Sequence, residues 1–151
     1  MSGRVGASWM TKDERLKDID NQKKYLTTVI NWAHAKAPST PIHVLAFSQG
    51  VATIMRFLGH SPARISTLLA WAGSWPSDAS EENIKALSKI NFQGWFGDED
   101  EFISRQKQIE IQAHYKDKFE LDLAVSLYKG GHKFDKVILK SEIERLEQTT
   151  L

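Results

Sequence analysis

Four short apolar runs constrain this chain more than anything else in it. They are Ile42-His-Val-Leu-Ala-Phe47, Ser66-Thr-Leu-Leu-Ala-Trp-Ala-Gly73, Ile90 to Phe96 and Leu121 to Tyr128, and they start 24, 24 and 31 residues apart. Each gap holds one stretch of helical spacing, as a strand–helix–strand crossover requires. The runs are continuous rather than alternating, which is the pattern of strands covered on both faces. The expectation is an α/β fold of three layers, a mainly parallel sheet between helices.

The helices have readable limits. Thr11-Lys-Asp-Glu14 has the spacing of a capping box, and Leu16, Ile19, Leu26, Val29 or Ile30, and Ala33 follow at helical or heptad spacing up to Pro38 and Pro41. Val51 to Leu58 is a second helix, with Gly59 at its end. A short helix opens at Asp78-Ala-Ser-Glu81, and a polar one runs from about Ile103 to Tyr115. The last runs from Phe134 to Leu146, with Ile138, Leu139, Ile143 and Leu146 inward.

Composition removes several functions. The 151 residues make one domain, expected to span 1–151, and carry 20 Lys+Arg against 19 Asp+Glu. That balance gives no basic excess for nucleic acid. With no cysteine there is no disulfide framework, thiolate metal site or cysteine nucleophile. No apolar run approaches the roughly 18 residues that span a bilayer, so no stable membrane insertion is expected. The first ten residues lack the apolar core of a signal peptide, and a cytoplasmic protein is expected. No His pair has metal-ligand spacing, and no cofactor is called for.

In a parallel sheet, functional groups gather at the carboxyl ends of the strands. Ser48 follows the first run, Asp98-Glu-Asp100 the third, and Gly130-Gly-His132 the fourth. A serine, a carboxylate and a histidine therefore fall at three strand ends. That order, Ser…Asp…His, is the triad order of the α/β-hydrolases. A serine at a sharp strand-to-helix turn calls for small neighbours, here Ala46 and Gly50. It also places the Gln49 N–H where an oxyanion would form. On the residues alone, Asp100 is the preferred carboxylate and Asp98 the fallback. Taken singly, Ser48 is an ordinary helix N-cap and the acidic turn an ordinary solvated one; the three together favour chemistry.

The stretch Ala46-Phe-Ser-Gln-Gly50-Val-Ala resembles the Gly-Phe-Ser-Gln-Gly turn of the carboxylesterase, lysophospholipase and acyl-protein-thioesterase branch of the α/β-hydrolases. Gly97-Asp-Glu-Asp100-Glu-Phe-Ile103 is similar to that family's Gly-Asp-x-Asp segment, and Gly131-His132 to its histidine-bearing ending. The resemblance implies a serine esterase cleaving small acyl esters or thioesters. Ser48 is then the nucleophile, Asp100 rather than Asp98 the triad acid, His132 the base and Gln49 an oxyanion donor. It also implies that Trp9, in Ala7-Ser-Trp9, lies over the substrate groove.

Family members carry earlier strands and a His-Gly loop that supplies a second oxyanion N–H. No counterpart is expected before Met10, so the chain is read as the C-terminal part of the fold. Ile42–Phe47 would then be an apolar edge strand, and edges of that kind pair with other chains. Homo-oligomerisation or marginal stability is the expectation. A weakly active or non-catalytic interaction domain that assembles through this edge is the alternative function.

Overall fold

The computed structural model describes residues 10, 11, 13–60 and 65–148. Its elements follow in the order α1 (Arg15–Lys36), β1 (Ile42–Phe47), α2 (Gln49–Phe57), β2 (Ile65–Trp71), α3 (Glu81–Leu87), β3 (Asn91–Gly97), α4 (Arg105–Phe119), β4 (Val125–Tyr128) and α5 (Lys136–Gln148). The four strands form one sheet in the order β1-β2-β3-β4, and every pairing is parallel.

One sheet face presents Ala46, Leu68, Ala70 and Phe92 to Ile30 of α1, Ile54 of α2, Leu87 of α3 and Tyr115 of α4. The other presents Phe47, Trp71, Trp95 and Tyr128 to Phe134, just before α5, and to Ile138 and Leu139 in its first turn. Helices therefore lie on both faces, as expected of a three-layer α/β fold. No helix among the described residues is long and apolar enough to cross a membrane.

Several local expectations need correction. The Thr11 hydroxyl does accept the Glu14 N–H, but the carboxylate that reaches back is Asp18, which accepts both the N–H and the hydroxyl of Thr11. Asp18 lies in the first turn of α1, where a carboxylate also favours the helix dipole. Leu16 and Ile143 are exposed rather than inward, because α1 and α5 each pack through only one side. β1 is an edge strand and is not covered on both faces, since Leu45 is 44% exposed.

The fourth run pairs only from Val125 onward, because α4 continues to Phe119 and ends on Glu120 in a left-handed conformation. Leu123, in the connection, is nevertheless buried in the core. Gly59 lies in a 3-10 turn over Leu58–His60 and is small because α3 crosses it. A Cβ there would meet the Asn83 amide nitrogen at 2.8 Å.

Candidate active site

β1 ends at Phe47, and the next residue turns sharply into α2. Ser48 has φ +52° and ψ −124°, a region that costs a non-glycine residue on the order of 1–3 kcal/mol. Neighbours hold the strain in place. The Ser48 N–H donates to the Trp71 carbonyl at 2.8 Å, and its own carbonyl accepts the Val51 N–H at 3.1 Å. The hydroxyl does not cap α2, so the plain N-cap explanation of this serine fails.

The Ser48 Oγ is instead hydrogen-bonded to His132 Nε2 at 2.9 Å. On the far side of the ring, His132 Nδ1 is 2.9 Å from Asp100 Oδ2. An ionised carboxylate only accepts, so Nδ1 carries the proton and Nε2 is left to accept from the serine. The other Asp100 oxygen accepts the N–H groups of Phe102 at 2.9 Å and Ile103 at 3.0 Å. The Asp100 side chain is fully buried, and that of His132 is mostly so. Residues 84 and 32 positions apart in the chain thus form one continuous hydrogen-bonded series.

Asp98 points elsewhere: its Oδ1 accepts the Gly130 N–H at 2.9 Å. It fastens the loop that carries His132 and does not contact the imidazole ring. The backbone does the same, with the Asp98 N–H donating to the Tyr128 carbonyl and the Glu99 N–H to the Gly130 carbonyl.

The Gln49 N–H belongs to the first turn of α2, where amides have no intrahelical acceptor. Gln49, Ser48 and His132 line a cavity of about 400 Å³ whose other walls include Ala72, Phe102 and Ile103. Ser48 and Gln49 also border a second, mostly apolar groove of about 420 Å³ that runs past Leu26, Val44 and Leu45 at the β1 edge. Trp9 lies outside the described residues. Among those residues, no three His, Asp or Glu side chains converge as a metal site would need.

The close approach expected at Gly50 occurs at a different glycine. A Cβ on Gly50 would meet nothing within 4 Å. One on Gly73, past β2, would lie 2.3 Å from the Val51 side chain and 2.5 Å from the Ser48 carbonyl oxygen. Ala72, immediately before it, also has positive φ, at 48°.

Sequence reasoning missed the aromatic surroundings of His132. Phe102 meets the imidazole edge-on at 4.7 Å between centroids, and Phe47 is tilted against it at 5.0 Å. Their signal was adjacency, since one precedes Ser48 and the other lies two residues past Asp100. Trp71 and Tyr128, read only as core and strand residues, also reach this loop, and no sequence pattern marks that.

No protein-family model and no curated protein sequence matches the chain. Solved structures do. Acyl-protein thioesterase 2 of Zea mays aligns over 89% of this chain and 67% of its own, at 17% identity and a TM-score of 0.66. The Bacillus cereus carboxylesterase aligns over 96% and 66%, at 14% identity and a TM-score of 0.62. TT1662 from Thermus thermophilus aligns over 97% and 72%, at 15% identity and a TM-score of 0.67. The chain spans about two thirds of the length of these structures, and 63% of that of esterase PE8. Across nearly all its residues, the chain has the fold of the α/β-hydrolase superfamily.

Proposed function

We propose that this chain is a serine hydrolase of carboxylic acyl esters, thioesters included. The observation that carries the reading is the Ser48–His132–Asp100 series, with both contacts at 2.9 Å. Ser48 Oγ attacks the acyl carbonyl carbon while His132 Nε2 takes its proton. The carbonyl oxygen becomes an oxyanion that accepts from the Gln49 N–H. As the intermediate collapses, His132 returns the proton to the leaving alcohol or thiol, and Ser48 keeps the acyl group. Water then repeats the sequence and releases the acid. Asp100 holds the ring in the required tautomer and stabilises its charged form. The fold shared with esterases and a thioesterase, together with the mostly apolar cavity at Ser48, supports an acyl substrate.

A second reading rests on the exposed edge of β1. With Leu45 44% exposed and no strand paired to its outer side among the described residues, β1 offers backbone groups and apolar surface to another copy of the chain. In that case the chain is a weakly active assembly domain.

The two readings separate on labelling with a fluorophosphonate, beside Ser48→Ala and with turnover of p-nitrophenyl acetate and butyrate. Labelling that disappears in Ser48→Ala supports the hydrolase. A folded, unlabelled chain that sediments as an oligomer, and becomes monomeric in Leu45→Lys, supports the assembly domain.

A further inference from the structure

His132 is the middle residue of a tight turn in which the Lys133 N–H donates to the Gly131 carbonyl at 2.9 Å. Such a three-residue turn has one internal hydrogen bond; here it begins with a glycine, Gly131, and follows another, Gly130. It therefore has little rigidity of its own, yet it holds an imidazole within 2.9 Å of two partners. Two buried aromatic residues from different strands reach its backbone. The Trp71 indole N–H, from the end of β2, donates to the Lys133 carbonyl at 3.0 Å. The Tyr128 hydroxyl, from the end of β4, lies within hydrogen-bond reach of that same carbonyl and of the Gly131 carbonyl at 3.0 Å. The two rings pack against each other at 5.4 Å between centroids.

We infer that Trp71 and Tyr128 are positioning residues that clamp the peptide carbonyls on either side of His132 and so aim its imidazole along the line from Ser48 to Asp100. This inference rests on the proposed triad and adds to it a hold on the residues that flank His132, beyond the anchoring of Gly130 by Asp98 and Glu99. Burial holds the Tyr128 hydroxyl above its ordinary pKa, so it remains a donor throughout the range where an imidazole titrates. The roles divide by geometry. The Trp71 indole N–H donates to the Lys133 carbonyl alone, while the Tyr128 hydroxyl, with one proton to give, lies within reach of both carbonyls and is the member whose loss frees the loop.

Tyr128→Phe tests the clamp, because it keeps the ring and removes the hydroxyl. Tyr115→Phe is the control. Tyr115 is fully buried in the opposite core and donates to the Pro76 carbonyl at 2.9 Å, so it loses a comparable bond far from His132. Two readouts apply to the intact chain: the maximal rate and half-saturation concentration of fluorophosphonate labelling across pH, and NMR titration of the His132 ring.

The clamp predicts that Tyr128→Phe lowers the maximal labelling rate about tenfold at unchanged half-saturation. It also predicts that the acid limb and the His132 titration both move to lower pH, as the ring loses its hold on Asp100. Tyr115→Phe should leave all of these at wild-type values. A Tyr128→Phe chain with wild-type labelling and His132 titration overturns the clamp, as does an equal loss in Tyr115→Phe. If the folded wild-type chain does not label, the hydrolase reading falls, and the His132 titration alone still decides the clamp.

Discussion

Gly97 and Gly130 touch backbone to backbone: a Cβ on Gly97 would sit 2.1 Å from the Gly130 carbonyl oxygen and 2.6 Å from that of Gly131. The end of β3, which leads to Asp100, is thereby pressed against the loop that leads to His132. The rigid carbonyls have no flexible end that could move aside. Gly97→Ala should push the two loops apart, lowering ester turnover by about 10²-fold and stability by about 1–3 kcal/mol. A p-nitrophenyl butyrate assay beside a thermal melt checks both.

The two aspartates of the acidic turn should separate cleanly. Asp100→Asn leaves the shape intact but favours the wrong imidazole tautomer, and it should cost turnover about 10⁴-fold. Asp98→Asn keeps an oxygen that can accept the Gly130 N–H and should cost less than about tenfold. Comparable losses in the two variants would mean that the carboxylate has been misassigned.

Gly73 and Gly50 make a second contrasting pair. Gly73→Ala drives a methyl group into Val51 and the Ser48 carbonyl, so the strained turn cannot keep its geometry. Loss of labelling and a drop of several degrees in Tm are expected. Gly50→Ala, in the first turn of α2 and facing open space, should keep the fold and gain up to about 1 kcal/mol from helix propensity. Labelling and a melt on each variant test the pair.

Asp78 joins α1 to α2 through Arg15 and Arg56. Partial burial pushes its carboxyl up, but hydrogen bonds from the two guanidinium groups outweigh this and hold it below the ordinary carboxylate range. A carboxylate lowered in the folded state stabilises above its unfolded pKa, and that contribution is lost as pH falls through the folded value. Asp78→Asn should therefore lower Tm at pH 7, through a loss of no more than about 1 kcal/mol of stability for so exposed a pair. Its melting curve should converge with wild type only as the pH falls below the ordinary aspartate range. A difference that persists unchanged at acid pH would contradict the assignment.

What could be read in advance was local. Ile42–Phe47 emerged with its observed limits, because a proline closes one end and the Ser48 turn the other. The convergence of Ser48, Asp100 and His132 was legible because a parallel sheet brings the ends of its strands to one edge, so position in sequence became position in space. The limits of β4 were hidden because Leu121 and Leu123 are as apolar as a strand but fill the core from a connection. The partners of Lys133 were hidden for a different reason. Trp71 reaches it from 62 residues away, and only the sheet order, with β3 between β2 and β4, sets that distance. Gly50 and Gly73 show the same limit, since a glycine's freedom is visible in sequence while what presses on it is not.

The central claim is that His132 activates Ser48. It is tested most directly by fluorophosphonate labelling of the folded chain beside Ser48→Ala, His132→Ala and Asp100→Asn. The account predicts labelling confined to residue 48, absent in the first two variants and slowed by orders of magnitude in the third. Labelling that survives Ser48→Ala, or none in a wild-type chain with a cooperative melt, would contradict it.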